Sequence, residues 1–104
     1  MITYDEFKDI CEDHGMTIAE DRIMPMACYN GIFPISYYSI NKICIAESID
    51  NLVYITDMGK IMFFPVRDDV KLETPEELRE YAMNFVKKHA KLKKQARIKN
   101  IEEL

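Results

Sequence analysis

Leu52–Val66, LVYITDMGKIMFFPV, is the stretch whose reading decides the fold. Two β-rich runs, Leu52–Thr56 and Lys60–Val66, flank a short segment ending in Gly59, and together they predict a β-hairpin. With a type I turn at Asp57-Met58 and Gly59 in the left-handed region, the loop has three residues and Thr56 faces Lys60. Ile55 then pairs with Ile61, Tyr54 with Met62, Val53 with Phe63 and Leu52 with Phe64. One face carries Leu52, Tyr54, Met62 and Phe64, and the other carries Val53, Ile55, Ile61 and Phe63. Both faces are apolar, and a two-residue loop leaves them so. An antiparallel hairpin with one wet side alternates apolar with polar residues, so this one needs cover on both sides.

Upstream, Ile35–Ala46 reads as a strand with Asn41-Lys42 as a bulge or turn, because Ile40 and Ile43 differ in parity. Glu47–Asn51 then turns the chain into the hairpin, and an antiparallel meander is expected. Asn30-Gly31 predicts a two-residue hairpin turn, which Pro25 and Pro34 restrict to a small or edge hairpin. Thr3 and Glu6 form a capping box with Ile2 and Phe7 as its staple, predicting a helix over about 4–14. Gly15 ends it in a Schellman turn that sets Met16 against Cys11. Thr17 and Glu20 repeat the capping pattern, so a short helix from Ile18 to about Ile23 is expected ahead of Pro25.

Downstream, Thr74-Pro75-Glu76-Glu77 supplies an N-cap, a proline at the first helical position and acids in the first turn. Leu78, Tyr81, Ala82, Phe85, His89, Leu92 and Ala96 continue as one stripe, predicting a helix over about 75–97. Its ~35 Å length exceeds the ~30 Å breadth of a domain of this size, so its basic end is expected to overhang. The whole is a single α+β domain over 1–104. It has an N-terminal helix, an antiparallel sheet of three to five strands within about 26–66, and a long amphipathic C-terminal helix across the sheet.

The 104 residues, 48% of them hydrophobic, suit one soluble domain. No apolar run approaches the ~20 residues of a membrane span, and MITYDEFKD lacks the pattern of a signal peptide. A cytoplasmic protein without a membrane partner is expected. Three cysteines, an odd number, fit free thiols better than a disulfide framework. The net charge of −4 hides a division: residues 1–86 carry 7 basic and 16 acidic side chains, whereas 87–99 carry 7 basic and none acidic.

Signals of chemistry are sparse. Cys11 and His14 have a spacing that zinc sites use, but no motif supplies two further ligands, so no metal is expected. Cys11 reads as a core residue and His14 as an exposed residue favoured by the helix dipole. Cys28 or Cys44 could meet His89 as a nucleophile pair, yet no spacing requires it, and free cysteines are usually buried. His89 lies on the apolar stripe and reads as a boundary or core residue satisfied by a hydrogen bond. No glycine-rich phosphate loop, nucleophile elbow or HExxH is present. No catalytic residue and no cofactor are therefore expected.

Two surfaces remain. Tyr29, Phe33, Tyr37, Tyr38 and Tyr54 are an aromatic resource of the kind protein interfaces favour. Tyr37 and Tyr38, being adjacent, should point to opposite faces of their strand. The expected function is a non-catalytic protein-binding module or small acidic inhibitor, with a nucleic-acid-handling enzyme as one partner class that an acidic body would suit. A homodimer through the sheet face is a further expectation. The alternative is nucleic-acid binding through Lys87, Lys88, Lys91, Lys94 and Arg97 on the C-terminal helix.

Overall fold

The computed structural model describes residues 1–20, 23–66 and 68–102. Its elements are α1 (Tyr4–Asp13), β1 (Thr17–Ala19), β2 (Met26–Tyr29), β3 (Ile32–Tyr38), β4 (Ile43–Glu47), β5 (Leu52–Ile55), β6 (Lys60–Phe63), β7 (Asp69–Leu72) and α2 (Pro75–Glu102). A 3₁₀ turn over Ile49–Asn51 joins β4 to β5. The class is α+β, with a five-stranded antiparallel sheet in the order β1-β2-β3-β4-β7. β5 and β6 form a separate two-stranded sheet. The hairpin is thus not the centre of the sheet, as its two-sided apolarity had suggested, but an excursion between neighbouring strands β4 and β7.

The start of α1 follows its sequence. Thr3 Oγ1 accepts from the Glu6 N–H at 3.2 Å, and Glu6 Oε1 accepts from the Thr3 N–H at 3.0 Å. These Thr3 hydrogen bonds hold the Glu6 carboxyl below its usual range. At the other end Gly15 has φ +81°, Gly15 N–H donates to Glu12 O, and Met16 N–H donates to Cys11 O, both at 3.0 Å. This Schellman turn buries Met16 and sends the chain back along the sheet. Thr17–Ala19 therefore lies as strand β1 against β2 instead of opening the short helix expected over Ile18–Ile23. Pairing with β2 overrides a local capping pattern that had too few residues behind it to hold a helix; residues 21 and 22 of that segment lie outside those described.

Asn30 and Gly31 both take positive φ, 49° and 80°, as a type I′ turn requires. The hairpin they close is neither small nor at the edge, since β3 is the middle strand. Pro34 is tolerated there because the β2–β3 register slips between Ala27 and Tyr29, setting Phe33 and Pro34 against the one residue Cys28. The segment Asn41-Lys42 is a turn, with Lys42 at φ 54°. Ile2 N–H donates to Lys42 O and Tyr37 Oη donates to Ile2 O, each at 2.8 Å, which ties down the N-terminus.

Ile18, Ala27, Ile35, Ala46 and Val70 form one row in register across all five strands. The small Ala27 and Ala46 are fully buried and leave room between their larger neighbours. Phe7, Ile10 and Cys11 of α1 and Leu78, Tyr81, Ala82 and Phe85 of α2 join this row in one core, so both helices cover the same face. Phe7 stacks on Tyr37 with ring centroids 5.2 Å apart, and Phe85 meets Tyr29 edge-on at 5.5 Å. The opposite row, Ala19, Met26, Ser36, Ile45 and Lys71, is half-buried or exposed.

The hairpin register is one residue off the expected one: Ile55 pairs with Lys60, Tyr54 with Ile61, Val53 with Met62 and Leu52 with Phe63. The loop has four residues because Ile55 O accepts from both Met58 N–H and Gly59 N–H, at 3.2 and 2.9 Å. Leu52, Tyr54, Ile61 and Phe63 consequently share a face, with Val53, Ile55 and Met62 on the other. Leu52 is buried, and Phe63 stacks on Phe85 at 6.0 Å. α2 starts where Thr74 Oγ1 accepts from the Glu77 N–H at 3.2 Å. At about 1.5 Å per residue it rises about 42 Å, against dimensions of 50 × 24 × 24 Å for the protein.

Candidate binding cleft

β6, the segment after it, the β2–β3 turn and the C-terminal half of α2 surround an open cleft of about 1140 Å³. Its apolar walls come from Ile32 and Phe33 on β3, Tyr54 on β5, and Ile61 and Phe63 on β6. Met58, Phe64 and Val66, 55%, 54% and 54% exposed, stand along its hairpin side. α2 contributes His89, Lys93, Ala96 and Arg97, which helical spacing places one turn after another on one flank.

His89 is 5% exposed, with its ring edge-on to Tyr29 at 5.0 Å. Its ring nitrogens make no hydrogen bond to a described residue, and no buried side-chain nitrogen or oxygen among those residues is left unpaired, so they reach solvent as those of a boundary histidine do. Burial, and then the Lys93 charge, pull its pKa below the ordinary value, so it stands neutral at pH 7. Lys60, Lys93 and Arg97 face the cleft with one acid, Glu47, among the described residues. The lining is thus basic in a chain of net charge −4. Burial, and then the neighbouring Asp69, push the Glu47 carboxyl up, and Tyr81 Oη donates to the Glu47 carbonyl.

The five aromatic residues singled out in the sequence separate. Phe33 and Tyr54 line the cleft, and Tyr29 backs it through its contact with His89. Tyr37, 2% exposed, is a core residue and so leaves the candidate set. Tyr38, 39% exposed, lies on the opposite face beside a smaller depression of about 240 Å³ with Ile23 and Ile40, so the adjacent tyrosines do point opposite ways. Of the basic residues, Lys87, Lys91 and Lys94 are exposed, Arg97 lines the cleft, and Lys88 Nζ donates to Ile49 O at 2.7 Å.

The cysteines lie elsewhere. Cys11 and Cys44 are buried in the core; burial pushes the Cys11 thiol far up and the Cys44 thiol up to about 12, which works against a thiolate. Cys28 is half-buried and pairs with Thr17 at the β1–β2 edge. His14 is half-buried, not exposed, with Nδ1 2.8 Å from Ile10 O. Among the described residues no three His, Cys, Asp or Glu side chains gather as metal ligands, and no helix is long and apolar enough to cross a membrane.

Met58, Ile61, Phe63, Phe64 and Val66 lie outside the site residues proposed from the sequence, although the apolar run of the hairpin is their signal, and so does Lys93, whose signal is the basic segment of α2. Comparison with protein-family models, curated proteins and solved structures finds no match to this chain.

Proposed function

We propose that the chain is a non-catalytic protein-binding module whose partner seats in the cleft between β6, the β2–β3 turn and α2. The observation that carries this reading is the gathering of Met58, Phe64 and Val66 at an apolar-walled cleft, since exposed apolar side chains that cluster mark interaction sites and scattered ones do not. The basic rim favours a partner segment with carboxylates. His89 lines the cleft, and its packing against Tyr29 and Phe85 suits recognition better than the nucleophile–base pairing of a covalent catalyst. The narrower reading as an inhibitor of a nucleic-acid-handling enzyme is supported by a different surface, the exposed Asp5, Asp9, Glu12 and Asp13 of α1.

The test is capture from native host lysate with the wild-type chain, Phe64→Asp and Tyr38→Asp. A partner held by wild type and Tyr38→Asp but lost by Phe64→Asp is the expected result. Retention by Phe64→Asp would place binding elsewhere. The second reading, nucleic-acid binding, is favoured by Lys87, Lys91 and Lys94, which stand on the helix face opposite the core with no ion pair among the described residues. DNA or RNA binding with a steep salt dependence, lost on Lys→Gln substitution at all three, would put it first.

A further inference from the structure

The hairpin register determines which backbone groups of β6 are left over. Phe64 N–H donates to Asn51 O at 2.7 Å. In antiparallel alternation the hydrogen-bonded pairs are then Val53–Met62 and Ile55–Lys60. The N–H and C=O of Ile61 and Phe63 therefore point away from β5, and none has a partner among the described residues. All four β6 residues, from both of the strand's alternating sides, line the cleft, so this unpaired edge runs along it. Backbone donors and acceptors on half-buried residues favour any partner that completes them.

Two further observations point to a ligand at the same place. His89 lines the cleft, and its ring nitrogens, bonded by no described residue and not buried, are open to a group bound there. Lys60, Lys93 and Arg97 give the cleft a sign opposite to that of the whole chain. Resting on the protein-binding reading above, we propose that β6 is a docking edge for an extended acidic segment of a partner protein. The segment pairs with the backbone of Ile61 and Phe63 as an added strand. Its alternate apolar side chains enter between Phe33, Ile61 and Phe63, and its carboxylates meet Lys60, Lys93 and Arg97. In this mode the main-chain hydrogen bonds supply affinity and the pockets for alternate side chains supply specificity. The neutral His89 imidazole offers a hydrogen bond to a polar group of the same segment. A second copy of this chain is the weaker occupant, because symmetric β6-to-β6 pairing would bring two basic rims together.

The test presents the full chain to a displayed random dodecapeptide library, followed by synthesis of the enriched peptides. The expected peptides alternate apolar with acidic residues and slow amide hydrogen exchange at Ile61 and Phe63 by about tenfold or more. They also lose binding when N-methylated at alternate positions. Peptides that bind as helices, that leave exchange at Ile61 and Phe63 unchanged, or that are basic overturn strand addition, as does a selection that enriches nothing. Phe64→Asp separates the two levels: peptides of the wrong type whose binding it abolishes leave the cleft reading standing, and peptides indifferent to it overturn that reading too. Phe64 is 54% exposed, so the variant is expected to fold, and circular dichroism checks that it does.

Discussion

Tyr29 and His89 pack edge to face, ring centroids 5.0 Å apart and planes at 87°, joining β2 to the half of α2 that borders the cleft. The imidazole is held there as a neutral aromatic body, with burial and Lys93 both opposing its protonation. As pH falls, the unfolded chain takes up this proton at the ordinary histidine value near 6.5, before the folded chain does. The stability His89 contributes is therefore present in full above about pH 6.5 and is lost as pH falls from there through its lower folded value. Melting temperature from pH 7.5 to 5 should drop more steeply in the wild type than in His89→Leu. Equal slopes would show that the histidine titrates freely.

Phe85 meets Tyr29, Phe63, Tyr81 and His89, so it connects the sheet, the hairpin and α2. Phe85→Ala should destabilise the fold by about 3–5 kcal/mol, measured by urea denaturation. Because Phe63 loses its stacking partner, β6 amide exchange should rise more than exchange in β4.

Tyr37 tests the sorting of the aromatic residues. Tyr37→Phe removes the hydrogen bond to the Ile2 carbonyl and should cost about 1 kcal/mol of stability, while leaving partner capture unchanged. A loss of binding with stability intact would return Tyr37 to the interface.

The two ends of α1 rest on separable devices. Thr3→Ala removes the side-chain cap on Glu6 N–H and should cost about 1 kcal/mol. Gly15→Ala meets no steric obstacle, its new Cβ lying 3.7 Å from Tyr29 Cε2, yet φ +81° should still cost about 1–2 kcal/mol. Both are read as a shift in the urea midpoint at constant slope.

Both helices, the type I′ turn and the α+β class were legible because each rests on local chemistry: a capping box, a proline at the first helical position, an Asn-Gly pair. Thr17–Ala19 carries the same capping pattern that starts α1, and only the turn at Gly15 decides that β2 is within reach. Pro34 taken alone points to an edge, because the slip that accommodates it belongs to the pairing of β2 with β3 and leaves no mark on either strand alone. For the hairpin, apolarity on two faces is legible in the sequence, and its cause lies in the tertiary packing. Leu52 and Phe63 face the core, while Phe64 and Val66 beyond them stand at the cleft. The cleft itself draws on Met26, Glu47 and residues within 30–33, 54–66 and 89–97, which become neighbours only in the folded chain.

The central claim, that this cleft is the binding surface, is tested most directly by photo-crosslinking in native host cells. Benzoylphenylalanine is placed at Phe64 in one variant and at Tyr38, on the opposite face, in another. A discrete protein adduct from position 64 and none from position 38 is the predicted result; an adduct from 38 with none from 64 would contradict it.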